Sequence, residues 1–477
     1  MRIFDVVVIG AGPVGENVAD RTTAAGLDTV IVESELAGGE CSYWACEPSK
    51  ALLRPALLHA EARGMPGLNP DPLDVAAVLR HRDRMSGHWN DQSQVRWLRE
   101  AGITLVRGHG RLAGPRTVEV TGADGAVLRL SARHAVAVCT GTRAALPPEP
   151  DFSALQPWTS REATSATRVP PRLAIVGGGV VAVEMATAWR ALGSRVTLVV
   201  REPGLLPRTE RFAADLVADA LRASGVELRF DTTVTAATRT DDVRLELSDG
   251  EVLCADELLL ATGRAPRTDD LGLETVGLRP GSWLLSDDTY AVLGVTGTWL
   301  YAVGDVNQRA LLTHQGKYQA RIAGAVISDR ARHLPLDRGP WSPHTGTADR
   351  VAVPQVVFTD PEIASVGLTT ADAANEGRDV DIVDYDLGLV AGAHQHSPGY
   401  VGRARILLDP ARGTVLGATF AGRGVAELLQ SATFAITGEI PLDRLWHAVP
   451  AFPTLSEVWL RLLETYRDTA APLRTGR

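Results

Sequence analysis

Two cysteines share the short stretch Gly38-Gly39-Glu40-Cys41-Ser42-Tyr43-Trp44-Ala45-Cys46-Glu47-Pro48-Ser49-Lys50. The chain has 4 cysteines, at 41, 46, 139 and 254, so half of its thiols sit in this one segment. At the start of a helix, sulfurs at i and i+5 reach bonding distance if the turn is distorted, and the positive end of the helix dipole lowers a thiol pKa. A redox pair fits that pattern. Zinc does not, because it wants two more ligands and no C-x-x-C or histidine cluster accompanies the pair. The bland alternative is two small buried hydrophobes. Cys139 and Cys254 lie in apolar runs and read as core residues. His394 and His396 have no third ligand nearby, so no metal site is expected.

Glycine-rich turns precede and follow this segment. Val6-Val7-Val8-Ile9 reads as a buried parallel strand. It runs into Gly10-Ala11-Gly12-Pro13-Val14-Gly15, a helix over 16–25, a stop at Gly26 and a second strand ending at Glu33. Glycines at 10, 12 and 15 let a backbone approach a pyrophosphate at a helix N-terminus, and Glu33 stands where a carboxylate accepts from a ribose diol. The pattern returns at Leu173-Ala174-Ile175-Val176 and Gly177-Gly178-Gly179-Val180-Val181-Ala182, with a helix to about Leu192 and a strand over 196–200. Here Ala182 replaces the third glycine, and Arg201 follows the strand where an acid would grip a 2′-hydroxyl. A guanidinium there suits a 2′-phosphate, which favours NADPH, while the adjacent Glu202 keeps NADH possible. Two such units imply two dinucleotide sites.

The 477 residues are 45% hydrophobic and 22% charged, enough for several domains with real cores. Lys and Arg number 48 against 57 Asp and Glu, a net charge of −9, which argues against a nucleic-acid or anionic-membrane binder. So few cysteines exclude a disulfide scaffold. No apolar run is long enough to span a bilayer, and MRIFDVVVIG reads as a strand rather than a signal peptide, so a cytoplasmic protein is expected. Pro147-Pro148-Glu149-Pro150 and Pro170-Pro171 punctuate the chain, and 333–347 reads as a linker. Beyond it, 350–366 and 404–420 are strand-rich, and 424–437 and 455–467 are helical, an α+β pattern.

These motifs together resemble the pyridine nucleotide-disulfide oxidoreductases, the flavoprotein disulfide reductases that include dihydrolipoamide dehydrogenase, glutathione reductase and mercuric reductase. The match covers nearly the whole chain. Residues 10–15 with Glu33 resemble the family's FAD fingerprint, and Cys41 to Lys50 its C-x4-C-x-P-S-K motif. Cys139-Thr140-Gly141 and Ala261-Thr262-Gly263-Arg264-Ala265-Pro266 resemble its two A-T-G turns. Tyr301-Ala302-Val303-Gly304-Asp305 resembles its second FAD motif, and 358–368 the start of its dimerisation domain. The implied fold is α/β, with two Rossmann-like dinucleotide-binding domains, for FAD and NAD(P), and an α+β dimerisation domain. The implied limits are 1–150 and 266–340 for the FAD domain, 151–265 for the NAD(P) domain and 345–477 for dimerisation.

The resemblance also assigns residues. For FAD it adds Pro13, Gly39, Glu40, Lys50, Gly110, Thr140, Gly141, Leu312 and Thr313, with Asp305 holding the ribityl chain. For NADPH it gives Gly177, Gly179, Val180, Val181, Ala182, Arg201, Val234 and Gly263. Hydride would pass from NADPH through the flavin to a Cys41–Cys46 disulfide, with Cys46 against the flavin and Cys41 facing the substrate. Lys50 and Glu184 match a pair near the flavin N5.

Two departures stand out. The family's H-P-T-x-S-E segment, which carries a proton-shuttling His across to the partner subunit and a Glu that orients it, reads Phe452-Pro453-Thr454-Leu455-Ser456-Glu457 here. Pro450 replaces a second His, and His447 is five positions early. Phenylalanine moves no protons, and loss of a general acid/base costs about 10²–10⁴-fold in rate, so an efficient lipoamide or glutathione reductase is disfavoured. Tyr43 and Trp44 stand where small or aliphatic residues are usual; with Phe452 they line an apolar acceptor pocket or pack into the core. The tail from Thr469 has no cysteine pair, which disfavours mercuric ion. Three readings follow: a homodimeric disulfide oxidoreductase with a small-molecule sulfur acceptor, a quinone or similar flavin reductase with auxiliary cysteines, and a non-catalytic flavin-binding accessory protein.

Overall fold

The computed structural model describes residues 1–148 and 150–474, the last five as backbone. Glu149 of the proline punctuation and the tail side chains from 470 onward lie outside the described residues. The chain forms two compact units, Met1–Pro48 with Arg82–Ala145 and Arg264–Arg350, and Ser49–His81 with Leu146–Gly263 and Val351–Arg477.

In the first unit, Arg2–Ile9 is the hub of the main sheet. Thr29–Glu33 and then Thr104–Arg107 lie in parallel on one side, and Val127–Val138 lies in parallel on the other. This last strand is 12 residues long. Its outer edge pairs first with Thr117–Thr121, antiparallel, and then with Leu300–Ala302, parallel. Val6, Val7 and Val8 are fully buried, as a central strand covered on both faces requires. On one face helices Pro13–Ala24 and Thr313–Ala331 lie against each other. A side chain at Gly316 would meet Val14 at 2.5 Å and one at Gly324 would meet Arg21 at 2.5 Å, so small residues allow this close packing. Val18, Ala19, Ala320 and Val326 belong to that core. The opposite face packs Val7, Ile9, Val118, Val136 and Leu300 with Leu271 and Trp299.

The segment 333–347 is not the free linker expected from its prolines. The His344 ring is buried and its Nε2 lies 2.9 Å from Asp329, while its Nδ1 accepts from Asp337 N at 3.1 Å. Leu336 packs against the first core. Prolines set the backbone direction here, and side-chain hydrogen bonds then tie the segment down.

The second unit holds a four-stranded parallel sheet in the order Glu227–Arg229, Arg195–Val199, Arg172–Val176, Glu257–Leu260. Helix Val180–Ala191 covers one face and buries Trp189 completely. Val243, Leu245 and Leu247, from an antiparallel three-stranded sheet, pack with Ala174 and Leu258 on the other. Cys254 corrects its expected core position: it is exposed, because strand alternation turns it to the solvent face beside Arg244, while Ala255 points to the core with Val243. Last comes an antiparallel sheet in the order Gln355–Val357, Glu362–Gly367, Thr414–Gly422, Arg403–Asp409, Asp381–Asp386, with helices Leu429–Thr437 and Val458–Arg474. The strand Asp381–Asp386 went unread because three of its six residues are acidic. Cross-strand Arg405 and Arg403 hold Asp384 at 2.8 and 2.6 Å.

Candidate active site

Gly38 and Gly39 begin the cysteine segment with φ of 107° and 60°, where only glycine is unstrained. A side chain on Gly39 would meet Gly12 Cα at 2.6 Å, so the cysteine loop and the first glycine turn touch backbone to backbone. Cys41 lies in the short helix Gly39–Tyr43. Trp44 then leaves helical geometry at φ −139°, and Cys46 opens the helix Cys46–Gly64. This break is the distorted turn that i, i+5 pairing requires. Neither cysteine is joined in a disulfide here. The Thr313 hydroxyl lies 3.1 Å from Cys41 Sγ and 3.3 Å from Cys46 Sγ. A hydrogen bond with Cys46, and then burial, push the Cys41 thiol pKa up, with Thr313 opposing. For Cys41 this reverses the lowering expected from a helix N-terminus: the partner sulfur and desolvation outweigh so short a helix.

Tyr43 is buried, with its hydroxyl donating to Ala37 O at 2.9 Å, and Trp89 Nε1 donates to Tyr43 O at 3.0 Å. Tyr43 is therefore a core residue and not a pocket wall. Trp44 lies edge-on to it, with ring centroids 5.7 Å apart.

The first glycine turn is built for close approach. A side chain on Gly10 would meet Cys139 O at 2.6 Å, and one on Gly15 would meet Gly10 O at 1.9 Å. Pro13 starts the helix, where its missing N–H costs nothing. Glu33 accepts from Ala11 N and Glu35 N, both at 2.7 Å, so its carboxylate is already oriented beside the turn. Gly15→Ala has no space to occupy. It is expected to lower apoprotein stability by about 2 kcal/mol or more and to reduce flavin retention; unchanged thermal unfolding together with unchanged flavin content would contradict this.

Asp305 follows Gly304, which has φ 83°, and burial raises the Asp305 pKa. Thr142 Oγ1 donates to Asp305 at 3.0 Å and accepts from Arg264 Nε at 2.9 Å, and Arg264 also donates to Glu40 at 2.8 Å. Gly110 packs under Val32 and Ile9. Leu312 is the extended residue ahead of the helix that Thr313 begins. Gly141 has φ 67° with open space where a side chain would stand, and the Thr140 hydroxyl is buried with no hydrogen-bond partner. An orphaned hydroxyl beside open glycine turns fits FAD. Thr142 and Arg264 were not singled out as site residues, although Arg264 stands within the second A-T-G motif.

In the second unit, Lys50 Nζ lies 2.7 Å from Glu184 Oε2, and Glu184 Oε1 accepts from Phe358 N at 3.1 Å. Glu184 is buried, while Lys50 is 38% exposed. The turn at Gly177 would bring a side chain to 2.3 Å from Ala261 O, whereas Gly179 faces open space before Val180, Val181 and the buried Ala182. That cradle fits a nicotinamide dinucleotide. Arg201 is 78% exposed and pairs with Glu202 at 2.7 Å. Gly263 has φ 139°, and the Val234 side chain is buried in the core, leaving only its backbone for a ligand.

Phe452 is 76% exposed. Glu457 is buried; one oxygen accepts from Arg461 at 2.6 Å and the other has no hydrogen-bond partner. His447 is exposed, and among the described residues no histidine, cysteine or carboxylate group gathers as a metal site. No helix of the described residues is long and apolar enough to cross a membrane.

The family model for pyridine nucleotide-disulphide oxidoreductases matches residues 4–321, and that for the family's dimerisation domain matches 353–462. The chain belongs to this family and is an NAD(P)H-dependent flavoprotein disulfide oxidoreductase. It is 32% identical to a dihydrolipoyl dehydrogenase of Haloferax volcanii over 96% of this chain and 95% of that one. To that of Chlorobaculum tepidum it is 31% identical over 95% of each. The fold is similar to that of LpdA from Mycobacterium tuberculosis, with TM-score 0.82, 24% identity and coverage of 97% and 99%. It is also similar to the HOCl-induced flavoprotein disulfide reductase RclA from Escherichia coli, with TM-score 0.81, 23% identity and coverage of 96% and 99%.

Proposed function

We propose that the Cys41–Cys46 pair carries electrons from NAD(P)H to a disulfide or other electrophilic sulfur acceptor whose leaving thiolate needs little protonation. The observation behind this is one hydroxyl, that of Thr313, within reach of both sulfurs at 3.1 and 3.3 Å. FAD, when bound, supplies a two-electron carrier between the nicotinamide and the thiols. Cys41, as thiolate, attacks one acceptor sulfur and releases the other as a thiolate. Cys46 then displaces the second sulfur, closing the Cys41–Cys46 disulfide, so one acceptor disulfide and two enzyme thiols give two product thiols and one cystine. One NAD(P)H and one proton restore the dithiol. Thr313 passes a proton between the two sulfurs, and Lys50, held by Glu184, would supply a positive charge favourable to negative charge on the cofactor when bound. Phe452 supplies no proton, which narrows the acceptor to good leaving groups.

The domain limits 1–150, 151–265, 266–340 and 345–477 belong to this reading, as does a cytoplasmic homodimer in which Phe452 to Glu457 serve the other subunit. Support for the dimer comes from the dimerisation-domain match. Sedimentation showing a monomer at working concentration would count against it. The donor is proposed to be NADPH, on the guanidinium of Arg201. Arg201→Glu is expected to raise KM for NADPH roughly tenfold more than KM for NADH; equal effects refute the assignment. For the whole reading, anaerobic NADPH followed by alkylation and mass spectrometry should label residues 41 and 46 only after reduction. Labelling that does not depend on NADPH would sink it.

A further inference from the structure

One buried polar network in the first unit is built from side chains outside every motif quoted from the sequence, and it ends on the backbone of the 301–305 motif. Asp349 belongs to the four-residue helix Ala348–Val351. Its Oδ1 accepts from Gln315 Nε2 at 2.7 Å, and its Oδ2 accepts from Gln319 Nε2 at 3.0 Å and from Tyr290 OH at 2.9 Å. Gln319 and Tyr290 are fully buried. The other end of the same Gln319 amide, Oε1, accepts from Gly304 N at 2.7 Å and from Asn307 Nδ2 at 2.8 Å. Asn307 also donates to Ala302 O at 3.0 Å. Arg309 stands 4.0 Å from Asp349 but is hydrogen-bonded to Asp288.

Hydrogen-bond polarity makes this arrangement directional. A carboxylate only accepts, so it selects the amide rotamer that turns Nε2 toward Asp349 and therefore Oε1 toward Gly304. Gly304 N–H is the backbone donor immediately before Asp305, in a turn with φ of 83° where an added side chain would crowd Val14. Gln315 and Gln319 also stand in the first turns of the helix that starts at Thr313, the residue touching both sulfurs.

We infer that Asp349 is a positioning residue for flavin binding: by fixing the Gln319 amide it sets the Gly304–Asp305 turn in the geometry that holds the cofactor. This rests on Asp305 being a flavin ligand, as the family resemblance implies. Without the carboxylate, Gln319 can rotate and leave the Gly304 N–H buried and unpaired. Such a loss is worth roughly 5- to 100-fold in an equilibrium constant.

The test is FAD binding to deflavinated protein, followed by flavin fluorescence. Asp349→Asn removes the acceptor-only group that selects the Gln319 rotamer, and Gln319→Glu sets acceptor against acceptor; each should weaken FAD binding about tenfold or more. The double variant restores the match with donor and acceptor exchanged: residue 349 donates to residue 319 and to the Tyr290 oxygen, and residue 319 accepts from it, from Gly304 and from Asn307. It should bind FAD within about threefold of wild type. A merely structural role would lower the thermal stability of the apoprotein in the singles and leave FAD affinity of the folded protein unchanged; that outcome overturns the inference, as does a double variant no better than the singles. If the singles do not fold, the double variant decides: folding with near-native FAD affinity supports the assignment, and failure overturns it. Asp305→Ala separates the two levels. If it binds FAD normally, the reading of Asp305 falls; if it loses FAD while the singles keep it, only the role of Asp349 falls.

Discussion

Cys41→Ser and Cys46→Ser are each expected to lower NAD(P)H-dependent disulfide reduction by at least about 10³-fold. Exchange with a disulfide needs a thiolate to attack and a second thiol to resolve the mixed species, and a hydroxyl does neither at neutral pH. The two variants should differ in what they trap. Cys46→Ser retains the attacking sulfur and should accumulate a mixed disulfide with acceptor on residue 41, visible as an added mass. Cys41→Ser should accumulate none. Both should keep flavin, because the glycine turns, Glu33 and Asp305 are untouched. The quinone reading makes the opposite demand: full NADPH–quinone turnover in both variants, with negligible disulfide reduction by wild type, would establish it over the dithiol relay.

The second large effect concerns Phe452. Phe452→His restores the residue type that the resemblance places there, and a positioned general acid contributes about 10²–10⁴-fold. The gain expected here is smaller, about 10- to 100-fold in kcat/KM, because the carboxylate meant to orient such a histidine is engaged by Arg461 at 2.6 Å. It should appear for acceptors with basic leaving thiolates and be nearly absent for those with acidic ones, since protonation limits only the former. A new dependence on a group titrating near pH 6.5 should accompany it. Equal stimulation of both acceptor classes would rule out proton transfer as the cause. No stimulation of either would show that the surroundings of residue 452 have moved away from acid–base work altogether.

The exposed Phe452 and the pairing of Glu457 with Arg461 point the same way. A buried carboxylate with one oxygen unpartnered is costly to keep. Arg461, one helical turn later, supplies the cation that makes it tolerable. The segment thus has its acidic residue paired four positions on, in the helix that follows it.

The two dinucleotide turns were legible in the sequence because their cause is local. A strand, a glycine turn that a side chain would block, and a helix N-terminus follow one another within a few residues, and the clashes at Gly10, Gly15 and Gly177 show why no other residue serves. The cysteine spacing was legible for the same reason. Less legible were the edges: Asp381–Asp386 hides its strand behind acids that cross-strand arginines neutralise, and Cys254 in an apolar run falls in register with Arg244 on the solvent face of its sheet.

By itself, then, the sequence determined the family, the two Rossmann-like domains and the thiols, since each depends on backbone constraints and residue spacing within a short window. Tertiary structure alone decided what surrounds them. Thr313 lies 272 residues from Cys41, and Asp349 lies 30 residues from the glutamine it orients. Arg264 reaches Glu40 across 224. Hydrogen bonds of that kind leave no periodic trace in a chain, because they are set by which strands and helices the topology brings side by side.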